Sequence, residues 1–202
     1  MSASLPRKAR RPLTTLVFVV VVGGIAALGQ HVGWWLMPPG TDASAAIQPG
    51  TYAIDHFIDG DTIAVTMNGT VEKVRFIGVD TPETHKPNTP VQCYGPAAAA
   101  HTKNIIAYAG GRVRLAADAL STNRDRYDRL LRYVYLPDGT FVNEVNVRQG
   151  YAFYYPFFPF SKSDQFTAAQ QEAQNAHRGL WGACTPTPVD GGGYKMEQPA
   201  NQ

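Results

Sequence analysis

Residues 62–79 read TIAVTMNGTVEKVRFIGV, and this stretch decides the fold of the central part of the chain. Both of its halves are rich in β-branched side chains, which favour strands. Asn68-Gly69 stands between the halves, and this pair strongly favours a two-residue hairpin turn. The stretch therefore predicts a β-hairpin with strands at residues 62–67 and 71–79.

The same composition extends the predicted sheet in both directions. Further strands are predicted at residues 51–58, 113–116 and 131–136, and helices at residues 96–108, 141–148 and 163–177. Five short strands with a helix between the third and fourth follow the order of an OB-fold barrel, although several small α+β folds share this count. We therefore predict an α+β domain over residues 51–183, a five-stranded OB-fold β-barrel with three helices.

An apolar segment precedes this domain. Residues 13–37 contain no Asp, Glu, Lys or Arg, and four basic residues lie just before them within residues 7–11. A helix of this length can cross a hydrocarbon core of about 30 Å, and basic residues on one side favour a cytoplasmic N-terminus. The pattern predicts a cytoplasmic segment at 1–12 and a transmembrane signal anchor at 13–37, with the rest exported. A cleaved signal peptide remains an alternative because Ala43-Ser44-Ala45 resembles a cleavage site, and a buried soluble helix is a third.

Two other segments have the composition of connecting chain. Residues 38–50 are rich in Pro, Gly, Ser and Ala and predict a linker, and residues 184–202 have little apolar content and predict a flexible tail. Four of the 18 Lys and Arg residues lie at the N-terminus, which leaves 14 of them against 16 Asp and Glu in the rest. This balance excludes a generally basic protein that coats nucleic acid, so any anion binding must be local.

Acidic residues stand at both ends of the predicted hairpin. Asp61 precedes one strand and Asp80 follows its partner, so the hairpin brings the two carboxylates to one end of the sheet. Two carboxylates held close repel each other unless a cation lies between them. Oxygen ligands without Cys or His favour Ca²⁺ or Mg²⁺ over Zn²⁺. Glu83 follows three residues after Asp80 and could hold a water molecule against such a metal.

Two arginines can join this acidic group. Arg75 lies on the third predicted strand, and Arg129 ends the loop of residues 125–129 before a later strand. The guanidinium fork matches the oxygens of a phosphate diester. Phosphoryl transfer depends mainly on charge neutralisation and on the position of the nucleophile. The residues therefore indicate phosphodiester chemistry.

Six short motifs in order resemble the thermonuclease, or staphylococcal-nuclease-like, family over residues 50–182. They lie at residues 58–62, 74–84, 94–98, 125–129, 142–150 and 179–181. The resemblance implies an OB-fold phosphodiesterase that depends on Ca²⁺ and cleaves DNA and RNA. It implies that Asp61 and Asp80 are metal ligands and that Thr81 offers its backbone carbonyl to the ion.

The resemblance also assigns the remaining site residues. It implies that Glu83 is the general base or water-orienting group, that Arg75 and Arg129 bind the scissile phosphate, and that Tyr127 lies near the bound nucleotide. Asp128 departs from the family, which often has Gly there, and an acid at this position could weaken phosphate binding. The sequence leaves open whether the aromatic run at residues 151–160 packs in the core or stacks on bases.

Cys93 and Cys184 are the two cysteines of the chain. An even count in an exported domain predicts a disulfide between them, with two unpaired thiols as the alternative. The chain-entropy model assigns closure of such a loop about 4–5 kcal/mol of stability.

Together these features predict an exported or membrane-anchored, Ca²⁺-dependent nuclease that hydrolyses DNA, RNA or both. Its membrane contact would be through residues 13–37, and no protein partner is predicted. The alternatives are a catalytically inactive OB-fold module that binds nucleic acid at the cell surface, and an envelope interaction domain that uses the aromatic run.

Overall fold

The computed structural model describes residues 50–85 and 89–196. Contacts divide the chain into two units, Met1–Thr41 and Asp42–Gln202, and every described residue belongs to the second. The predicted cytoplasmic segment at 1–12, the predicted anchor at 13–37 and nearly all of the linker lie outside the described residues. Within the described part of the chain, no helix is both long and apolar enough to cross a membrane.

Five strands close into a barrel in the order β1-β2-β3-β6-β5. They are β1 (Tyr52–Asp59), β2 (Thr62–Met67), β3 (Thr70–Phe76), β5 (Arg112–Ala116) and β6 (Leu130–Tyr135). The neighbours are antiparallel except for β3 and β6, which run parallel, with Arg75 opposite Leu131. The predicted hairpin is confirmed, because Met67 pairs with Thr70 across the Asn68-Gly69 turn. The predicted five-stranded barrel is confirmed as well.

The third strand is shorter than the sequence predicts. It ends at Phe76 rather than at Val79, and the chain turns at Gly78, where φ is +73°. A Cβ atom on Gly78 would lie 2.6 Å from the ring of Phe160, so only glycine fits this turn. The chain then enters a separate two-stranded sheet, β4 (Val79–Asp80) with β7 (Phe153–Tyr154). The turn thereby carries Asp80 out of the barrel.

Within residues 50–85 and 89–196, four helices surround the barrel, one more than predicted for this domain. They are α1 (Gly95–Tyr108), α2 (Val142–Arg148), α3 (Ser163–Asn175) and the single turn α4 (Leu180–Ala183). Five of the six residues of β2 are buried, because this strand faces the barrel interior on one side and covering structure on the other. The main core joins barrel residues such as Ile63 and Val134 to helix residues such as Val147 and Phe166.

The C-terminal segment corrects a prediction. Residues 184–202 were expected to be flexible, but β8 (Pro186–Val189) and β9 (Gly193–Met196) form an antiparallel hairpin. Met196 is buried with Phe153 and Leu180 in a second small core, and Trp181 and Tyr194 pack against it. The expectation failed because the hairpin's own apolar content is low, and it packs on Phe153, which is distant in sequence, and on Leu180 and Trp181, which precede it.

Candidate active site

Two carboxylates meet at one guanidinium, as the hairpin geometry predicts. Arg75 Nη1 lies 2.9 Å from Asp61 Oδ2, and Arg75 Nη2 lies 2.9 Å from Asp80 Oδ1. Asp61 stands at the start of β2 and Asp80 at the end of β4, so two different sheets supply the pair. The structure therefore brings together three of the predicted site residues.

The Asp61 side chain is buried, and both of its carboxylate oxygens accept hydrogen bonds. Its Oδ2 atom accepts hydrogen bonds from the Thr81 N–H group (2.9 Å) and the Thr81 hydroxyl (3.0 Å), and its Oδ1 atom accepts one from the Thr62 hydroxyl (2.8 Å). Thr81 thus contacts the site through its donor groups and orients the Asp61 carboxylate. The family role of its backbone carbonyl stays a prediction.

The loop before Asp61 is held by buried polar side chains. The carbonyl oxygen of Gly60 accepts hydrogen bonds from the Thr102 hydroxyl (2.7 Å) and from Asn146 Nδ2 (3.4 Å). A Cβ atom on Gly60 would lie 2.8 Å from Thr81 Cγ2, so a larger residue would push the two apart. Helices α1 and α2 therefore set the position of Asp61.

The charges at this site do not balance. The pKa of Asp80 is raised to about 7, first by its removal from bulk water and then by the negative charges of Asp61 and Glu83, while Arg75 opposes the shift. One guanidinium thus faces three acidic side chains. Although protein atoms crowd the Asp80 carboxylate, 39% of the side-chain surface stays exposed, so a solvent ion has access to it.

The oxygen atoms at this site are of the type that binds a hard cation. Asp61 and Asp80 offer carboxylate oxygens, which Ca²⁺ prefers, and the excess negative charge favours a cation. Among the described residues, no group of three or more His, Cys, Asp or Glu side chains is arranged to hold a metal. Two carboxylates would therefore need further oxygen ligands from backbone or water.

The second arginine is fixed by its own loop. Arg129 Nε donates to Asp125 Oδ2 at 2.7 Å, while the N–H groups of Tyr127 and Arg129 donate to Asp125 Oδ1 at 2.9 and 3.0 Å. Arg129 precedes Leu131 by two residues, and Leu131 pairs with Arg75 across the parallel strands. Arg129 directly precedes β6, and both arginines line the same cleft.

A cleft of about 700 Å³ contains both arginines. Arg75 and Arg129 line it together with Tyr127, which is 64% exposed. The guanidinium carbons of Arg126 and Arg129 lie 4.8 and 5.4 Å from the centre of the Tyr127 ring, on which they stack. The cleft therefore offers a cationic and aromatic wall next to the acidic pair.

Asp128 adopts the backbone conformation that glycine favours, with φ of +62°. Aspartate tolerates this region better than most residues, which explains how it can replace glycine here. Its carboxylate is exposed and lies 3.5 Å from Arg124 Nε, and Arg124 also contacts Glu72. The extra acid is thus paired with a neighbouring arginine, which offsets part of its repulsion for phosphate.

The aromatic run at residues 151–160 packs partly into the core and partly along the cleft, and its role in base stacking stays a prediction. Phe153 and Phe160 are buried, whereas Tyr155 and Phe158 line the cleft, and Phe158 is 64% exposed. Asp118 holds this wall in place, because it accepts hydrogen bonds from the Ser161 N–H group and from the Tyr133 hydroxyl. These hydrogen bonds to Ser161 and Tyr133 lower the pKa of Asp118 despite its burial.

Some of these residues escaped the sequence analysis. Leu120, Ser121 and Thr122 line the cleft without any local signal, since their loop reaches it only through the tertiary fold. Asp125 stood inside the quoted loop motif and could have been found as the partner of Arg129. Arg148 pairs with Glu144 and Glu172 and has a structural role, as does buried Arg132.

The predicted disulfide is present between Cys93 and Cys184, with a Cα–Cα distance of 6.1 Å. It joins the segment before α1 to the end of α4, two elements 91 residues apart in sequence. The alternative of two unpaired thiols is therefore excluded in this structure.

Comparison with known proteins agrees with this site. A family model described as staphylococcal nuclease homologue matches residues 73–183. The chain is 36% identical over 178 residues to Thermonuclease of Staphylococcus intermedius, which covers 85% of this chain and 98% of that protein. It is 42% identical over 173 residues to Thermonuclease of Staphylococcus hyicus, covering 83% and 96%.

A third relative is longer. The SPbeta prophage-derived endonuclease YokF of Bacillus subtilis (strain 168) is 42% identical over 130 residues, which are 63% of this chain and 43% of that protein. The chain thus spans less than half the length of that relative but nearly all of the two thermonucleases. The chain belongs to the staphylococcal nuclease homologue family.

Proposed function

We propose that this protein is a nuclease that hydrolyses the phosphodiester bonds of DNA, RNA or both, and that it depends on Ca²⁺. The observation that carries the proposal is the shared position of Arg75, which contacts both Asp61 and Asp80 and lines one cleft with Arg129. Family membership and the names of the relatives support the same activity.

In this mechanism the two arginines bind the phosphate and neutralise its negative charge. Arg129, held by Asp125, and Arg75 donate hydrogen bonds to the phosphate oxygens and stabilise the charge that accumulates as water attacks phosphorus. Glu83 orients the attacking water and accepts its proton. The 5′-oxygen then leaves and takes a proton from solvent, which gives a 3′-phosphate product. Tyr127 packs against the nucleotide.

Asp61 and Asp80, with the carbonyl of Thr81, are the residues that would hold Ca²⁺. When bound, the ion supplies positive charge that neutralises the two carboxylates and polarises a phosphate oxygen. Because Arg75 is shared by both carboxylates in this structure, compensation of their charge would leave its guanidinium available to phosphate.

We further propose that the nuclease domain works outside the cytoplasm, anchored through residues 13–37 or secreted after cleavage of a signal peptide. The apolar segment, its basic N-terminal flank and the disulfide support this location, since disulfides persist in oxidising compartments. Membrane fractionation and N-terminal sequencing of the mature protein test it. Mature protein in culture fluid that lacks residues 1–40 would exclude the anchored form.

The activity is tested by cleavage of plasmid DNA and of an RNA by the full chain, in Ca²⁺ and then in EGTA. We expect both substrates to be cut only with Ca²⁺, and Glu83→Gln and Arg129→Ala to abolish cutting. Arg112→Ala is the control, because Arg112 contacts Thr51 and does not line the cleft. Undiminished cleavage in both site variants would overturn the assignment, and binding without cleavage would favour the inactive OB-fold module.

A further inference from the structure

One residue holds both main-chain polar groups of Glu83. The Glu83 N–H group donates to Gln92 Oε1 at 2.8 Å, and the Glu83 carbonyl oxygen accepts from the Gln92 N–H group at 2.9 Å. The two residues are nine positions apart, so these bonds pair two separate points of the chain. The main chain that carries the Glu83 side chain is therefore clamped from one direction.

Gln92 is held in turn by the start of α1. Its carbonyl oxygen accepts a hydrogen bond from the Gly95 N–H group at 3.0 Å. A Cβ atom on Gly95 would lie 2.9 Å from the Glu83 carbonyl oxygen and 3.0 Å from that of Pro82. The helix thus begins directly against the 82–83 peptide, and a larger residue than glycine would displace it.

The next residue provides a covalent anchor. Cys93 is bonded to Cys184, which packs with Tyr94 and Trp181 against the second core. This core lies outside the barrel that positions Asp61 and Arg75. The Glu83 main chain is therefore fixed through Gln92, whereas Asp61 is fixed next to the barrel strand β2 and Asp80 by the pairing of β4 with β7.

We propose that Gln92 is a positioning residue for the nuclease reaction. Its side-chain carbonyl fixes the Glu83 backbone and so the place from which the Glu83 carboxylate reaches water, while the Cys93–Cys184 disulfide keeps Gln92 in place. The inference rests on the proposed role of Glu83. A displacement of about 1 Å in a group that orients a nucleophile can lower the rate roughly 100-fold.

Gln92 is suited to a test by closely matched variants. Gln92→Met keeps the length of the side chain but removes the acceptor for the Glu83 N–H group. Gln92→Glu keeps an acceptor oxygen at the same position. Gln165→Ala is the control, because the Gln165 side chain also makes a hydrogen bond, which it donates to Glu144, but Gln165 does not line the cleft.

The measurement is steady-state cleavage of a DNA oligonucleotide by the full chain at saturating Ca²⁺. We expect Gln92→Met to lower kcat roughly 10- to 100-fold while KM changes less than about twofold, because the arginines and Tyr127 that bind the substrate are untouched. Gln92→Glu should restore most of kcat, and Gln165→Ala should match the wild type. An unchanged kcat in Gln92→Met, or an increase in KM alone, would overturn the proposal.

A second set of variants separates positioning from folding and from the proposed function. Cys93→Ser/Cys184→Ser should lower kcat, and Gln92→Met added to it should cost less than it does alone, because both act on one clamp. Independent, multiplied losses would overturn the coupling. If Glu83→Gln and Arg129→Ala both cut normally, the proposed function fails. If Glu83→Gln is inactive and Gln92→Met is fully active, only the positioning role fails.

Discussion

Gly150 and Gly179 touch through their backbones, so that a Cβ atom on Gly179 would lie 2.2 Å from the carbonyl oxygen of Gly150. The same oxygen accepts a hydrogen bond from the Leu180 N–H group at 2.8 Å. This contact joins the end of α2 to the start of α4, and so ties the main core to the second one. It explains why two separate motifs of the sequence each end or begin with glycine.

Gly150→Ala should therefore destabilise the fold by about 2–4 kcal/mol, since it adds a backbone clash to a positive φ of +74°. Urea unfolding followed by tryptophan fluorescence measures the effect. Gly139→Ala is the control, because Gly139 has φ of +93° but its added Cβ would meet no described atom within 4 Å. Equal losses in the two variants would mean that the clash adds nothing.

Removal of the disulfide should lower the unfolding free energy by up to about 4–5 kcal/mol, because the bond closes a long loop in the unfolded chain. Comparison of oxidised and reduced protein by urea unfolding gives this value. The Cys93→Ser/Cys184→Ser variant should match the reduced wild type and should not respond to the reductant. A reductant effect on that variant would point to a cause other than this bond.

Binding of Ca²⁺ should stabilise the folded protein, by about 2.7 kcal/mol when the ion is at 100 times its dissociation constant. The increase in Tm on adding Ca²⁺ and its loss on adding EGTA test this. Asp61→Asn should abolish the response because it removes one of the two carboxylates. A full Ca²⁺ response in Asp61→Asn would place the ion elsewhere.

Without Ca²⁺, the protein should lose stability as the pH rises from about 4 to 7, because Asp80 loses its proton over this range. The pKa of Asp80 is about 7 in the folded state, compared with the ordinary value of 3.8 for an unfolded chain. The folded state therefore binds the proton more tightly over this range. Proton release then disfavours folding, and the effect is constant above pH 7. In EGTA, Asp80→Asn should therefore gain stability relative to wild type between pH 5 and pH 8. A difference that does not change with pH would contradict the raised pKa.

Asp128→Gly should improve substrate binding modestly. It removes an exposed carboxylate beside the arginine wall at a position whose φ glycine accepts, so KM should fall about two- to threefold with kcat unchanged. The gain should shrink at high salt, where exposed charges are screened. Asp138→Gly makes the same change in net charge away from the cleft and should leave KM as it was.

The sequence was most informative where local signals agree. The Asn68-Gly69 turn specified the hairpin, and the hairpin alone implied that Asp61 and Asp80 meet. Gly78 was harder, because its role depends on the Phe160 ring, which lies far along the chain. The sequence therefore predicted that the third strand runs to Val79, although it ends at Phe76, before the turn that brings Asp80 to Arg75.

Residues that act through tertiary contacts gave no signal. Gln92 holds Glu83 through two hydrogen bonds between residues nine positions apart, and no local sequence pattern indicates this pairing. The hairpin containing Tyr194 and Met196 was missed because its packing depends on residues outside it, among them Phe153, Leu180 and Trp181. That residues 13–37 span a membrane stays a prediction, because they lie outside the described residues.

The prolines of the C-terminal hairpin bear on how copies of this protein meet in solution. The five barrel strands close on themselves and offer no free edge, whereas the two-stranded hairpin has two. Pro186 and Pro188 stand at alternate positions of β8, so the N–H donors are missing from one side of that strand. That side of β8 therefore offers few donors to a foreign strand, which makes it a poor template for edge-to-edge pairing.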